Sequence, residues 1–220
     1  MPPNSRHTLT TNSLSQLATA LFMNIVAPGV VLAQTKAPEI DFSFERNSAA
    51  ERATADQLRQ TLVKYDVTRW IYTKKVHIDE RAIPHSHPVL TLHTRHNGDE
   101  DGLLATFLHE QFHWLEEGNP LFTSAMDRYA KIYPDAPSRG PEGARDLQST
   151  YRHLLVCDLE FQVMTRLVGA DRARRVLSAN SHYTWIYDRV LNDAKVRAVA
   201  REHGFILDGD SVASRGIIKR

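Results

Sequence analysis

The spacing of apolar residues divides this chain into a short part with strands and a longer helical part. Residues 68–79 and 88–95 are rich in β-branched and aromatic side chains, and they predict two strands. After Gly102 the apolar patterns have helical spacing, with the tail at 205–207 as the only other candidate strand. A small sheet followed by a mainly helical half predicts an α+β fold.

Helix boundaries are indicated by capping residues and by helix-breaking residues. The first helix begins after Ser48, a good N-cap, and runs to about Tyr65. A second helix includes residues 103–115, with Asp99 or Asp101 as its N-cap. Later helices are predicted at 121–133, 144–168, 171–179 and about 183–203.

Residues 1–33 have the organisation of an export signal. A weakly basic start at Arg6 precedes an apolar run, and small residues in 31–33 suit a signal peptidase. Asn24 and Pro28 interrupt the run, which is too short and too broken for a good membrane span. We therefore predict a signal peptide and a secreted or periplasmic protein; a signal kept as a membrane anchor is the alternative.

The remaining chain is predicted to contain an extended arm at 34–47 and one domain at 48–220. The full chain has 27 Lys and Arg against 26 Asp and Glu, and no basic block. This balance argues against nucleic acid or an anionic membrane as the partner. The single cysteine, Cys157, cannot form an internal disulfide, so stability must come from the core and from any bound metal.

Residues 109–113 read His-Glu-Gln-Phe-His and are the strongest functional signal in the chain. On a helix, His109 and His113 stand at i and i+4 and share one face, with Glu110 close beside them. The surrounding helix is apolar on most of its circumference, and buried polar groups are costly unless they are paired. The motif therefore indicates a zinc site; hydrogen-bonded core histidines are the alternative.

A catalytic zinc generally takes three protein ligands and one water, so a third ligand must come from elsewhere. Glu116 and Glu117 lie too far along the motif helix and are expected to form its solvated end. A later helix carries His153, Cys157 and Glu160 on one stripe. We predict Glu160 as the third ligand, His153 as the alternative, and Cys157 as a small core residue.

The HExxH motif followed by a glutamate on a later helix resembles the zincin metallopeptidases, in their gluzincin branch. The resemblance implies a zincin-like domain with one Zn²⁺ held by His109, His113 and Glu160. It also implies that Glu110 acts as general base on a metal-activated water, and that peptides or proteins are the substrates. Residues 89–95 would be the edge strand before the motif helix, able to pair with an extended peptide.

Three positions depart from the better-known branches of this superfamily. The metzincin extension is absent, because Glu116 stands where its glycine would be and Asn119 where its third histidine would be. Met164 stands where the thermolysin-type glutamate helix has an acidic residue. The resemblance therefore extends to the superfamily and assigns no specific peptidase family.

The predicted function is that of an exported zinc metallopeptidase. A donor for the oxyanion is sought at the start of the last long helix, with Tyr183 as first choice and His182 as second. The 85–87 segment could line the cleft. The alternatives are a non-catalytic zinc- or peptide-binding module and an amidase acting on a non-protein amide, for example in a cell wall. The sequence leaves the oligomeric state open.

Overall fold

Three short parallel strands form one sheet in the order β1-β2-β3. The computed structural model describes residues 38–207, and the strands in this range are β1 (Asp41–Phe44), β2 (Lys75–Ile78) and β3 (Leu90–Leu92). Val76 is in register with Leu90, and Ile78 with Leu92, and all four side chains are fully buried. The sheet thus contributes its apolar residues to the core.

The described residues also form seven α-helices, which confirms the α+β prediction. They are α1 (Ala49–Lys64), α2 (Glu100–Glu117), α3 (Phe122–Ile132), α4 (Leu147–Val168), α5 (Ala170–Ser178), α6 (Thr184–Asn192) and α7 (Ala194–Glu202). Helix α4 packs against α2, α3, α5, α6 and α7. Because it is surrounded on most sides, α4 carries buried residues around much of its circumference, including polar ones.

The predicted caps of the first two helices are confirmed. Ser48 and Glu51 form a capping box at the start of α1, each side chain bonding to the backbone N–H of the other. At α2 the N-cap is Asp99, whose side chain accepts from the Gly102 amide at 3.0 Å, and the helix ends at Gly118. The motif helix therefore begins where its sequence indicates.

The strand half differs from its prediction in two places. Part of the segment predicted as an extended arm, residues 34–47, is ordered as β1, with Asp41 opposite Lys75 of β2. Of the strand predicted at 68–79, only β2 (Lys75–Ile78) forms. Thr68–Trp70 is instead a 3₁₀ turn that buries Trp70. Period-two patterning does not distinguish a strand from a turn that buries an aromatic side chain.

The C-terminal region differs as well. The single helix predicted at 183–203 is two helices, because Asp193 ends α6 and its side chain caps α7 by accepting from the Lys195 amide at 3.0 Å. Residues 205–207 do not form a strand. An Asx-type bond of this kind offers the backbone an alternative to a continuous helix.

The predicted signal peptide at 1–33 lies outside the described residues, and export stays a prediction. Within residues 38–207, no helix has the length and apolar character needed to cross a membrane.

Candidate metal centre

The motif helix α2 presents its two histidines side by side. His109 and His113 are both buried, and their ring centroids lie 5.2 Å apart. This spacing follows from the i, i+4 relationship, which stacks two side chains one turn apart on the same face.

Helix α4 adds a third imidazole to this pair. The ring of His153 lies 5.4 Å from that of His109 and 5.1 Å from that of His113. One potential ligand atom from each of the three residues lies within 4.8 Å of the others. The packing of α4 on α2 therefore assembles a buried group of three histidines, which we call the histidine cluster.

Each histidine of the cluster has its Nδ1 atom next to a hydrogen-bond acceptor. The pairs are His109 with Oε2 of Glu160 (3.0 Å), His113 with Oε1 of Glu116 (3.0 Å), and His153 with the Ser149 carbonyl (2.7 Å). The Ser149 carbonyl can only accept, and the carboxyl groups of Glu160 and Glu116 can only accept when they are ionised. In that state each Nδ1 atom is the hydrogen-bond donor. In a neutral ring, the Nε2 atom then keeps the lone pair with which an imidazole binds a metal.

The protonation of the cluster follows from burial and mutual repulsion. Burial, with the neighbouring His109, lowers the pKa of His153 to about 3. The same causes hold the pKa of His113 well below its usual range. Burial also disfavours the His109 cation, but hydrogen bonds with Cys157 and Glu160 outweigh it and raise the pKa of His109. Two of the three imidazoles are therefore neutral in the range where metal ions bind.

Glu160, the predicted third ligand, is in contact with Nδ1 of His109. Its Oε2 atom accepts hydrogen bonds from His109 and, at 3.0 Å, from the Tyr187 hydroxyl. Glu160 forms a second possible metal group with His109 and Cys157, but it shares no such group with His113. Within residues 38–207, His109, His113 and Glu160 do not form such a group, whereas His109, His113 and His153 do, so the residue that joins the motif histidines is the predicted alternative. Cys157 is a buried free thiol, as expected for a core residue.

The prediction that Glu116 lies at a solvated helix end is wrong. It is fully buried, and its Oε1 atom contacts both His113 and, at 3.1 Å, Nε of Arg152. Burial raises the pKa of Glu116 to about 8, against the opposing effect of Arg152. Glu117 is the exposed member of the pair, 3.0 Å from His87. The i, i+3 spacing of His113 and Glu116 was the sequence signal for their contact.

Glu110 is buried beside the cluster and has no hydrogen bond to its carboxylate from residues 38–207. Burial raises the pKa of Glu110 to about 7, opposed by the charges of His109 and His85. A carboxyl group with this pKa can exchange a proton near neutral pH.

The 85–87 segment lies at the same end of α2. The Ser86 carbonyl accepts a hydrogen bond from Nε1 of Trp114 at 3.1 Å, and the ring of His87 stacks on Trp114 at 4.0 Å. His85 pairs with Thr91 through two backbone hydrogen bonds of 2.7 and 3.2 Å. The outer edge of β3, predicted to accept an extended peptide, is therefore already bonded at Thr91.

Of the two residues predicted as oxyanion donors, the structure brings one to the cluster. The ring of Tyr183 lies 4.4 Å from the ring of His153 and 6.2 Å from that of His109. Tyr183 precedes α6 in a left-handed conformation with φ of 58°. His182 is exposed, and its ring bonds to Ser181 at 3.2 Å.

Comparisons with protein-family models, curated proteins and solved structures give no match to this chain. Its function must therefore be inferred from the chemistry of the site.

Proposed function

We propose that this protein is a zinc-dependent hydrolase of peptide bonds, with His109, His113 and His153 as the metal ligands. The observation that carries the proposal is the histidine cluster itself, in which three buried rings meet and each Nδ1 atom is already bonded. Glu110 lies on the same helix, next to His109. This arrangement supports the zincin-type chemistry that the HExxH motif suggests, with a different third ligand.

The donor set suits zinc and does not suit calcium or magnesium. Imidazole nitrogens suit zinc, whereas calcium and magnesium take oxygen ligands. The carboxyl groups of Glu160 and Glu116 orient two of the rings through their Nδ1 atoms, and in its ionised form such a group raises the basicity of the ring as a ligand. When bound at three histidines, a zinc ion supplies a Lewis acid and an activated water.

Glu110 is assigned as the general base. Its burial keeps the carboxyl pKa at about 7, so the group can take a proton from water and return it to the leaving amine. Its carboxylate is not used in any hydrogen bond from residues 38–207. A site that only binds zinc needs no such group, which favours a hydrolase over a binding module.

Tyr183 is assigned as a donor to the oxyanion that forms when the peptide carbonyl is attacked. Its ring lies 4.4 Å from the ring of His153 in a tilted arrangement, and its side chain is half-buried. Burial raises the pKa of Tyr183, so its hydroxyl remains protonated and can donate.

Export is part of the proposal and is supported by the signal-like sequence at 1–33 alone. A zinc peptidase outside the cytoplasm is the function that this signal and the site together favour.

The test combines metal analysis with hydrolysis of a mixed peptide library by the purified protein. We expect one zinc per chain, and we expect Glu110→Gln to keep its zinc while hydrolysis falls by about 10²–10⁴-fold. Glu117→Gln, an exposed change on the same helix, is the matched control and should keep both. Absence of stoichiometric zinc, or full activity in Glu110→Gln, would contradict the proposal.

A further inference from the structure

A pocket of about 440 Å³ is lined in part by Tyr183, whose ring lies beside the histidine cluster. Its other lining residues come from the loop before α4: Arg139, Gly140, Gly143, Ala144 and Arg145. Since the ring of Tyr183 lies 4.4 Å from that of His153, the pocket opens beside the third proposed ligand. A substrate held at the cluster can therefore extend into it.

The loop that forms the pocket is held firmly in place. The Arg139 amide donates to the Ala144 carbonyl at 2.6 Å, and the Ala144 amide donates to the hydroxyl of Thr150 on α4 at 2.9 Å. On the other side, the Thr184 amide at the start of α6 donates to the Pro141 carbonyl at 2.9 Å. The pocket is thus preformed between α4 and α6, which limits the entropy lost when a ligand binds.

The charged residues that line the pocket are all positive. Two of the six lining residues are arginines, and none is acidic. Among residues 38–207, Arg145 has one ion-pair partner, Asp146, with its Nε atom 3.1 Å from Oδ2. The guanidinium of Arg139 has no hydrogen bond or ion pair with any residue in 38–207. A planar guanidinium of this kind is suited to bind a carboxylate through two parallel hydrogen bonds.

The backbone at Arg139 is an independent indication. Its φ of 71° lies in the left-handed region, which favours glycine and costs an arginine conformational energy. The next residue, Gly140, has a φ of 70° without this cost. An arginine at a strained position on the rim of a pocket is consistent with a role in ligand binding.

We infer that this pocket binds a carboxylate of the substrate through Arg139, an inference that rests on the proposed function. The preferred substrates are then peptides with a negative charge on the Arg139 side of the hydrolysed bond. That charge is either the free C-terminal carboxylate of the peptide or an acidic side chain. The two sources have the same chemistry, and peptides that differ only in this group distinguish them.

The experiment measures binding to the Glu110→Gln protein by calorimetry, with zinc and without it, so that turnover is not needed. The probes are three N-acetylated tetrapeptides: tetra-alanine as free acid, tetra-alanine as C-terminal amide, and the amide with glutamate as its last residue. We expect the free acid, the glutamate peptide or both to bind about tenfold more tightly than the plain amide. Arg139→Gln in the same background should remove this advantage. Arg175→Gln, which removes an exposed positive charge on α5, should leave it intact.

Equal binding of the three peptides, or no binding of any, would overturn the inference. The inference would also be overturned if Arg139→Gln still bound the negatively charged peptides more tightly than the plain amide. The same holds if Arg175→Gln reduced this difference in affinity as much as Arg139→Gln does. Failure of the proposed function has a different signature, because the wild-type protein would then hydrolyse no peptide although the binding difference persisted.

Discussion

Nδ1 of His109 lies 3.0 Å from the Glu160 carboxylate. The carboxylate accepts a hydrogen bond from this imidazole of α2 and another from the Tyr187 hydroxyl of α6, and these two bonds hold it in the core. In the proposed site, the glutamate that the sequence predicts as a ligand would instead support a ligand, because it fixes the ring of His109 through the Nδ1 atom.

This geometry predicts opposite outcomes for two substitutions on α4. His153→Ala removes a proposed ligand and should abolish stoichiometric zinc binding. Glu160→Gln should keep one zinc per chain and weaken its affinity by about 10–100-fold, because it alters only the support of His109. Zinc content and competition with a chelator measure both effects. The prediction fails if His153→Ala retains tight zinc while Glu160→Gln loses it.

Glu116 should contribute to metal affinity through His113. Glu116→Gln replaces the carboxylate that contacts both His113 and Arg152, and we expect zinc affinity to fall by about tenfold. Chelator competition is the measurement. Glu117→Gln, one residue further along α2, is the control and should bind zinc as the wild type does. Equal affinities for the two variants would remove Glu116 from this role.

Tyr183→Phe tests the proposed oxyanion donor. Loss of the hydroxyl should lower kcat by about 100-fold with little change in zinc content or KM, since the bond forms mainly in the transition state. His182→Ala changes an exposed neighbour that does not reach the cluster, and its kcat should stay close to that of the wild type. A loss in His182→Ala as large as in Tyr183→Phe would reverse this assignment.

The loop before α4 should not tolerate a side chain at Gly143. A Cβ atom there would be pressed against the Pro137 carbonyl and would lie 3.1 Å from the Thr150 hydroxyl. We expect Gly143→Ala to lower the free energy of unfolding by about 1–3 kcal/mol in urea denaturation. At Gly118 a Cβ would meet no atom within 4 Å, so Gly118→Ala should change the free energy of unfolding by less than about 0.5 kcal/mol. Similar losses of unfolding free energy in both variants would show that the contact of the new Cβ with the Pro137 carbonyl does not destabilise the protein.

The capping box of α1 should make stability depend on pH. Burial alone would raise the pKa of Glu51, but hydrogen bonds from backbone amides, including those of Ser48 and Arg46, lower it below its ordinary value of 4.5. A carboxyl group with a lowered pKa stabilises the fold above about pH 4.5, and this contribution is lost as pH falls through the folded-state pKa.

Glu51→Gln should therefore destabilise the protein at pH 7, by about 1–2 kcal/mol, and the difference from wild type should shrink below pH 4. Thermal or urea unfolding across pH 3–7 measures this dependence, with the exposed Glu39→Gln as control. A difference that stays constant over the whole range would rule out the ionised carboxylate as its cause.

Local patterns were sufficient where an element is determined by its own residues. The capping of α1 by Ser48, the extent of α2 and the approach of His109 to His113 all follow from helix period and capping chemistry. The strand at β1 was missed because a four-residue edge strand is stabilised mainly by its partner β2, and that partner is over 30 residues away.

The sequence by itself determined the motif helix, the shared face of His109 and His113, and the stripe on the later helix from which a third ligand would come. Only the tertiary structure decided that the ring of His153 lies beside those of His109 and His113, while Glu160 is hydrogen-bonded to Nδ1 of His109. The reason is physical: the spacing of residues on α4 sets which side chains share a stripe. The rotation and depth of α4 against α2 depend on the surrounding helices, and they decide which member of that stripe reaches the site.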